Sequence, residues 1–126
     1  MSRAMLMTVL ARLDGIDTEN GVPWYQKGID WAVERGISDG SGPEQSITRE
    51  QLVTMLHRYA GSPKAESDLS VFTDAAVSGY AAEAMRWAVS QEILVGFEDG
   101  TLQPKGTATR AQVSALVMRF CNCALF

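Results

Sequence analysis

Apolar side chains recur at helical spacing in five stretches of this chain. Leu6, Val9, Leu10 and Leu13 form the first stripe. The pattern returns 46 residues later as Leu52, Met55, Leu56 and Tyr59, and 61 residues after that as Val113, Leu116, Val117 and Phe120. Each stripe follows a hydroxyl residue and an arginine: Ser2–Arg3, Thr48–Arg49 and Thr109–Arg110. Ser and Thr are favoured N-caps, so the spacing predicts helices opening at Arg3, Arg49 and Arg110. Two further stretches, Trp24–Ile37 and Tyr80–Ile93, match each other at an offset of 56. There Ile29, Ala32 and Val33 fall on Met85, Ala88 and Val89, and Trp31 falls on Trp87. The expected fold is all-α, built from helix–loop–helix repeats.

The repeats set the expected domain organisation. Residues 1–15 are the C-terminal half of a unit, 16–61 a unit with a shortened loop, and 62–126 a unit with a full loop. The full loop is GFEDGTLQPKGTATR, Gly96 to Arg110; its counterpart Gly40–Arg49 lacks the equivalent of Phe97–Thr101. Pro63 and the polar run GSPKAESDLS mark the joint between the last two units. Helices this short are marginal alone, so their stripes must pack across units.

An arginine at the first helical position is a poor choice for the helix itself, by roughly 0.3–1 kcal/mol, because that end carries partial positive charge. Unpaired amide N–H groups and that same field suit an anion, and a guanidinium adds a two-pronged donor for a carboxylate or phosphate. Arg49 and Arg110 are therefore the candidate anion clamps, with Arg3 a weaker third because its unit is incomplete, and Thr48 and Thr109 as the capping hydroxyls. The competing reading lays these arginines on the surface, paired with Asp or Glu. A second series, Arg12, Arg58 and Arg119, falls near helix C-termini, where cations are favoured, and reads as structural.

Aromatic residues divide similarly. Trp31 and Trp87, beside Ala and Val at helical spacing, read as core, with stacking on sugar rings the alternative. Trp24 and Tyr80 open their helices and are candidates for lining the loop face. Asp99 and Gly100 form a turn in the full loop, with glycine supplying the left-handed backbone.

Composition narrows the function classes. The net charge is −4, which argues against nucleic acid as a partner and against charge-driven attraction to anionic membranes. Any anion must then be captured locally and by geometry. No run of eighteen apolar residues is present, and the opening MSRAMLMTVLAR reads as an amphipathic helix rather than a signal peptide. Cys121 and Cys123 make neither a disulfide framework nor a zinc site and read as tail residues. From Asp39, DGSGPEQSITRE places Glu50 twelfth as in a calcium loop, but Pro43 and Glu44 occupy the fifth and sixth positions, which defeats that reading. The single histidine, His57, lies within a helix without a nucleophile at suggestive spacing and reads as a surface or boundary residue. No catalytic residue, metal site or cofactor is expected.

Taken together, FTD (Phe72–Asp74), RWAV (Arg86–Val89), GFEDGTLQP (Gly96–Pro104) and TRAQ (Thr109–Gln112), with DWAV (Asp30–Val33) and TREQ (Thr48–Gln51), resemble the S-layer homology (SLH) domain family. The resemblance covers nearly the whole chain. It implies a pseudo-threefold helical bundle, here with an incomplete first repeat. It also implies noncovalent anchoring to the secondary cell-wall polysaccharide of bacteria, an anionic polymer often capped with pyruvate ketals, and hence an extracellular location at the cell wall. In the family the arginine of the T-R-A-E motif reaches the sugar in grooves between units, which on this sequence points to Arg3, Arg49 and Arg110, with Asp99 and Gly100 beside a groove. Three departures stand out: the first unit lacks its tryptophan helix, the middle loop lacks the D-G-T segment, and the acidic residue of T-R-A-E is replaced by Met5, Gln51 and Gln112. The alternative function is a protein-interaction or assembly module, homodimerising through the incomplete repeat.

Overall fold

A computed structural model describes residues 1–64, 78–94 and 102–122. The expected FTD motif, the Gly96–Thr101 part of the long loop with Asp99 and Gly100, and Cys123 lie outside the described residues. The elements are helices α1 (Arg3–Leu13), α2 (Gln26–Glu34), α3 (Arg49–Tyr59), α4 (Ala82–Ser90) and α5 (Arg110–Asn122), with a 3₁₀ turn at Gly79–Ala81 before α4. Among the described residues there is no strand beyond two isolated bridges, Ser2 to Ser46 and Thr48 to Thr107. The all-α expectation is met.

The three arginine-led helices begin as their sequences predict. Ser2 and Thr48 are extended N-caps whose hydroxyls accept from the amides of Met5 and Gln51. Thr109 does the same for Gln112, at 3.2 Å. The reverse bond completes a capping box: the side chains of Gln51 and Gln112 accept from the amides of Thr48 and Thr109, each at 3.0 Å. Met5 takes this role in α1 with its sulfur, a weaker acceptor, at 3.5 Å. The tryptophan helices are shorter than expected. Trp24 and Tyr25 precede α2, where the Pro23 carbonyl accepts from Gln26 at 2.9 Å.

The chain divides into two compact units, Met1–Ile47 and Thr48–Phe126. In the first, α1 packs on α2. The backbones approach closely because residue 28 is glycine: a Cβ there would lie 2.7 Å from the Thr8 hydroxyl and 2.9 Å from its Cα. Leu6, Met7, Leu10, Ala11 and Ala32 are fully buried. The predicted stripe of α1 is therefore rotated. Val9 and Leu13 are each 38% exposed, and Met7 and Ala11 take the inside face instead. Trp31 is core, its indole N–H donating to Asp14 at 3.1 Å while Arg35 donates to the same carboxylate oxygen at 2.7 Å.

In the second unit α3 packs on α4 and on the 3₁₀ turn, and α5 packs on α3. Trp87 is buried, its ring centroid 5.3 Å from that of His57 and 6.1 Å from that of Phe120. His57 is thus no surface residue: it is 6% exposed, with Nε2 2.7 Å from the Pro63 carbonyl oxygen. Helix α5 buries only Val113, Leu116 and Phe120.

Candidate functional site

The first turns of α1 and α3 are built alike. A loop arriving later in the chain clasps each of them through the backbone. Arg3 and Ala4 donate to the carbonyls of Gln45 and Pro43, both at 2.9 Å. Arg49 and Glu50 donate to those of Gly106 and Pro104, at 3.0 and 2.8 Å. With the third amide taken by the cap hydroxyl, the first three donors of each helix are already used. The expectation that these termini offer unpaired amides to an anion is therefore corrected for α1 and α3. What they can present is the side chain of the arginine.

The arginine side chains differ. Arg49 is buried, 9% exposed, and donates through Nη1 to the Gln103 carbonyl at 3.3 Å and through Nη2 to the Gln112 amide oxygen at 3.0 Å. The guanidinium lies against Gly106, where a Cβ would collide with Nη1. Burial holds its pKa below the ordinary arginine value. Gln112 thereby joins the cap of α5 to the guanidinium of α3, a role signalled in sequence by the T-x-x-Q spacing and missed there.

Arg3 is half-buried, its side chain 15% exposed, with one long ion pair of 3.8 Å to Asp39. Its Nε–H is buried without a hydrogen-bond partner among the described residues. Asp39 is itself exposed, and its carboxyl is held below the usual range mainly by hydrogen bonds from the Ser41 side chain and backbone, with Arg3 a smaller contributor. Arg110 is exposed at the start of α5, where its own amide and that of Ala111 have no partner among the described residues.

Trp24 and Tyr80 are 54% and 53% exposed. Trp24 stands edge-on to Tyr25 at 5.2 Å, and the Tyr80 hydroxyl donates to Glu50 at 3.3 Å. In the second arginine series, Arg12 donates to the Thr18 hydroxyl at 2.7 Å and Arg119 to the Ile93 carbonyl at 3.3 Å. Among the described residues no group of three or more His, Cys, Asp or Glu side chains is placed to hold a metal ion. No described helix is long and apolar enough to cross a membrane.

Comparison with known proteins agrees with this construction. Cell surface glycoprotein 1 of Acetivibrio thermocellus is 33% identical over 106 residues, which cover 82% of this chain but 5% of that protein. Exoglucanase XynX of the same species is 33% identical over 110 residues, 80% of this chain and 10% of the relative. The cellulosome-anchoring protein of A. thermocellus is 27% identical over 81 residues, 62% of this chain and 18% of the relative. The chain spans only a small part of each, so an enzyme's name describes a far longer molecule than the stretch matched here. The S-layer homology domain profile matches residues 17–53 and 71–114, and with both tryptophan helices and the last two arginine-led helix starts inside those spans, the chain belongs to the S-layer homology domain family.

Proposed function

We propose that this chain is a non-catalytic anchoring module that attaches its protein to the bacterial cell wall. It does so by binding an anionic secondary polysaccharide noncovalently, with a pyruvate-ketal carboxylate as the group recognised. Family membership and the surface-glycoprotein and anchoring relatives support the cell-surface role. The observation that supports the anion is Arg3. Its guanidinium is largely withdrawn from water and, among the described residues, holds one long ion pair to a solvated aspartate and leaves a buried N–H without a partner. A buried donor without an acceptor costs about 1–3 kcal/mol, and a carboxylate placed there would relieve that cost while gaining a charge-assisted bond. Arg49 and Arg110 occupy the equivalent position in the other two arginine-led helices, each next to its capping threonine.

The ligand requirement follows from the donor set. Guanidinium groups fit planar two-oxygen anions, and exposed aromatics such as Trp24 and Tyr80 offer faces to sugar rings. Neutral glycans would leave the guanidinium unsatisfied. Co-sedimentation with purified cell walls tests this. Arg3→Ala combined with Arg110→Ala should weaken binding at least tenfold, and removing pyruvate from the wall should do the same to the unsubstituted chain. Unchanged binding in either arm, with helicity preserved, would overturn the arginine mechanism.

A further inference from the structure

The chain holds two asparagines, and they stand in opposite settings. Asn122 is the last residue of α5 and precedes a cysteine. Asn20 is exposed in the loop between α1 and α2 and precedes Gly21. Its backbone turns through the left-handed region at φ 63°, which asparagine tolerates better than most residues. Among the described residues the Asn20 side chain has no hydrogen-bond partner, and the Gly21 amide donates to none.

The fold itself calls for the glycine. A Cβ at residue 21 would lie 3.2 Å from the Pro23 carbonyl oxygen and 3.3 Å from that of Trp24, so a side chain is crowded out. An amide nitrogen with no side chain to shield it thus stands next to an unrestrained carboxamide. Two Asp–Gly pairs among the described residues offer the contrast. The Asp14 carboxylate accepts from Trp31 and Arg35, while the Gly15 amide donates to the Arg12 carbonyl at 3.0 Å. The Asp39 carboxylate accepts from Ser41, and the Gly40 amide donates to the Ser38 hydroxyl at 3.2 Å. Both pairs are held where Asn20–Gly21 is not.

We propose that Asn20 is a self-modification site, a slow clock that converts it to aspartate and isoaspartate. The Gly21 main-chain nitrogen attacks Asn20 Cγ. The new N–C bond closes a cyclic succinimide as the Cγ–Nδ2 bond breaks, and the Gly21 amide proton leaves with the ammonia. Water then opens the ring. Cleavage of the N–Cγ bond gives aspartate; cleavage at the main-chain carbonyl gives isoaspartate, with the chain rerouted through Cβ and one carbon longer. Either product adds a negative charge to the loop that carries Trp24, which is 54% exposed. A new carboxylate there repels an anionic polymer, so the grip on the wall loosens as the protein ages. That consequence rests on the wall-binding reading above; the chemistry does not.

The full chain is aged in mildly alkaline buffer made with heavy-oxygen water, either folded or in guanidinium, and its peptides are mapped by mass spectrometry. Heavy oxygen should enter at Asn20 of the folded chain at a rate within tenfold of the unfolded rate and at least tenfold above that at Asn122. Protection of Asn20 by folding beyond tenfold, or a rate no greater than that of Asn122, would overturn the proposal. Asn20→Gln, at an exposed position without a hydrogen bond, should remain unmodified, with circular dichroism confirming its fold. Fresh chain, aged chain and aged Asn20→Gln are then co-sedimented with purified cell walls. The aged chain should bind several-fold more weakly, and aged Asn20→Gln as well as fresh chain. Equal binding of aged and fresh chain, or equal loss in Asn20→Gln, would overturn the loosening. Failure of the fresh chain to sediment would instead defeat the wall-binding reading, and the mass readout would still decide the modification.

Discussion

Glu50 is 4% exposed, yet its carboxylate has three donors to itself: the Ser78 amide at 3.0 Å, the Ser78 hydroxyl at 2.7 Å and the Tyr80 hydroxyl at 3.3 Å. One side chain at the second position of α3 therefore fixes where the segment before α4 begins. The helix field near that end also favours a negative charge. Removing the carboxylate strands the Ser78 donors in a part-buried site, which costs about 1–3 kcal/mol. Glu50→Ala should lower the urea midpoint accordingly, and Glu50→Gln, which keeps an acceptor, should recover part of the loss. Equal stability of Glu50→Ala and the unsubstituted chain would show that the contact contributes nothing net. Sequence offered no route to this residue. A Glu between Arg49 and Gln51 looks like any exposed polar position, since its partners lie 28 and 30 residues away.

At the scale of the element, the ends of the helices follow one rule with one exception. Helices α1, α2 and α3 close through glycine in the left-handed region, Gly15 at φ 85°, Gly36 at 70° and Gly61 at 92°. Each glycine amide returns to a carbonyl one turn back, and the next residue's amide reaches the carbonyl before that. Helix α4 makes the same closure with Glu92 at φ 58°, the amides of Glu92 and Ile93 bonding to Val89 and Ala88 at 3.1 and 2.9 Å. A residue with a Cβ is strained there by roughly 1–2 kcal/mol, partly offset because glycine loses more entropy on folding. Glu92→Gly should thus stabilise the chain by about 0.5–1 kcal/mol, measured as a melting temperature raised by a few degrees; a lowered one would count against the closure described. Element starts were legible for the same local reason. Ser2, Thr48 and Thr109 announce themselves by type and by the arginine that follows. The face each helix buries was less legible, because Ala4, Met7 and Ala11 turn inward only through the close approach that Gly28 permits, and that depends on a partner distant in sequence.

Over the whole molecule, the repeats seen in sequence and the units that pack are offset from one another. The sequence repeat 16–61 starts before a tryptophan helix and ends with an arginine-led one, whereas the compact unit Met1–Ile47 holds α1, α2 and the loop that clasps α1. The second unit repeats the arrangement with α3, α4 and the Pro104–Gly106 loop, and carries α5 as well. Trp31 and Trp87 therefore each pack with the arginine-led helix that precedes them, Trp87 reaching Phe120 of α5 as well. The indole of Trp31 is tied to Asp14 at the end of α1, and that of Trp87 lies against His57 on α3. Truncating a buried tryptophan costs about 3–5 kcal/mol. Trp31→Ala should then speed hydrogen exchange of the α1 and α2 amides, and Trp87→Ala that of the α3 and α4 amides. If Trp31→Ala instead loosened α3 while sparing α1, the tryptophan helix would have to be assigned to the helix that follows it, as the order of motifs along the chain had implied.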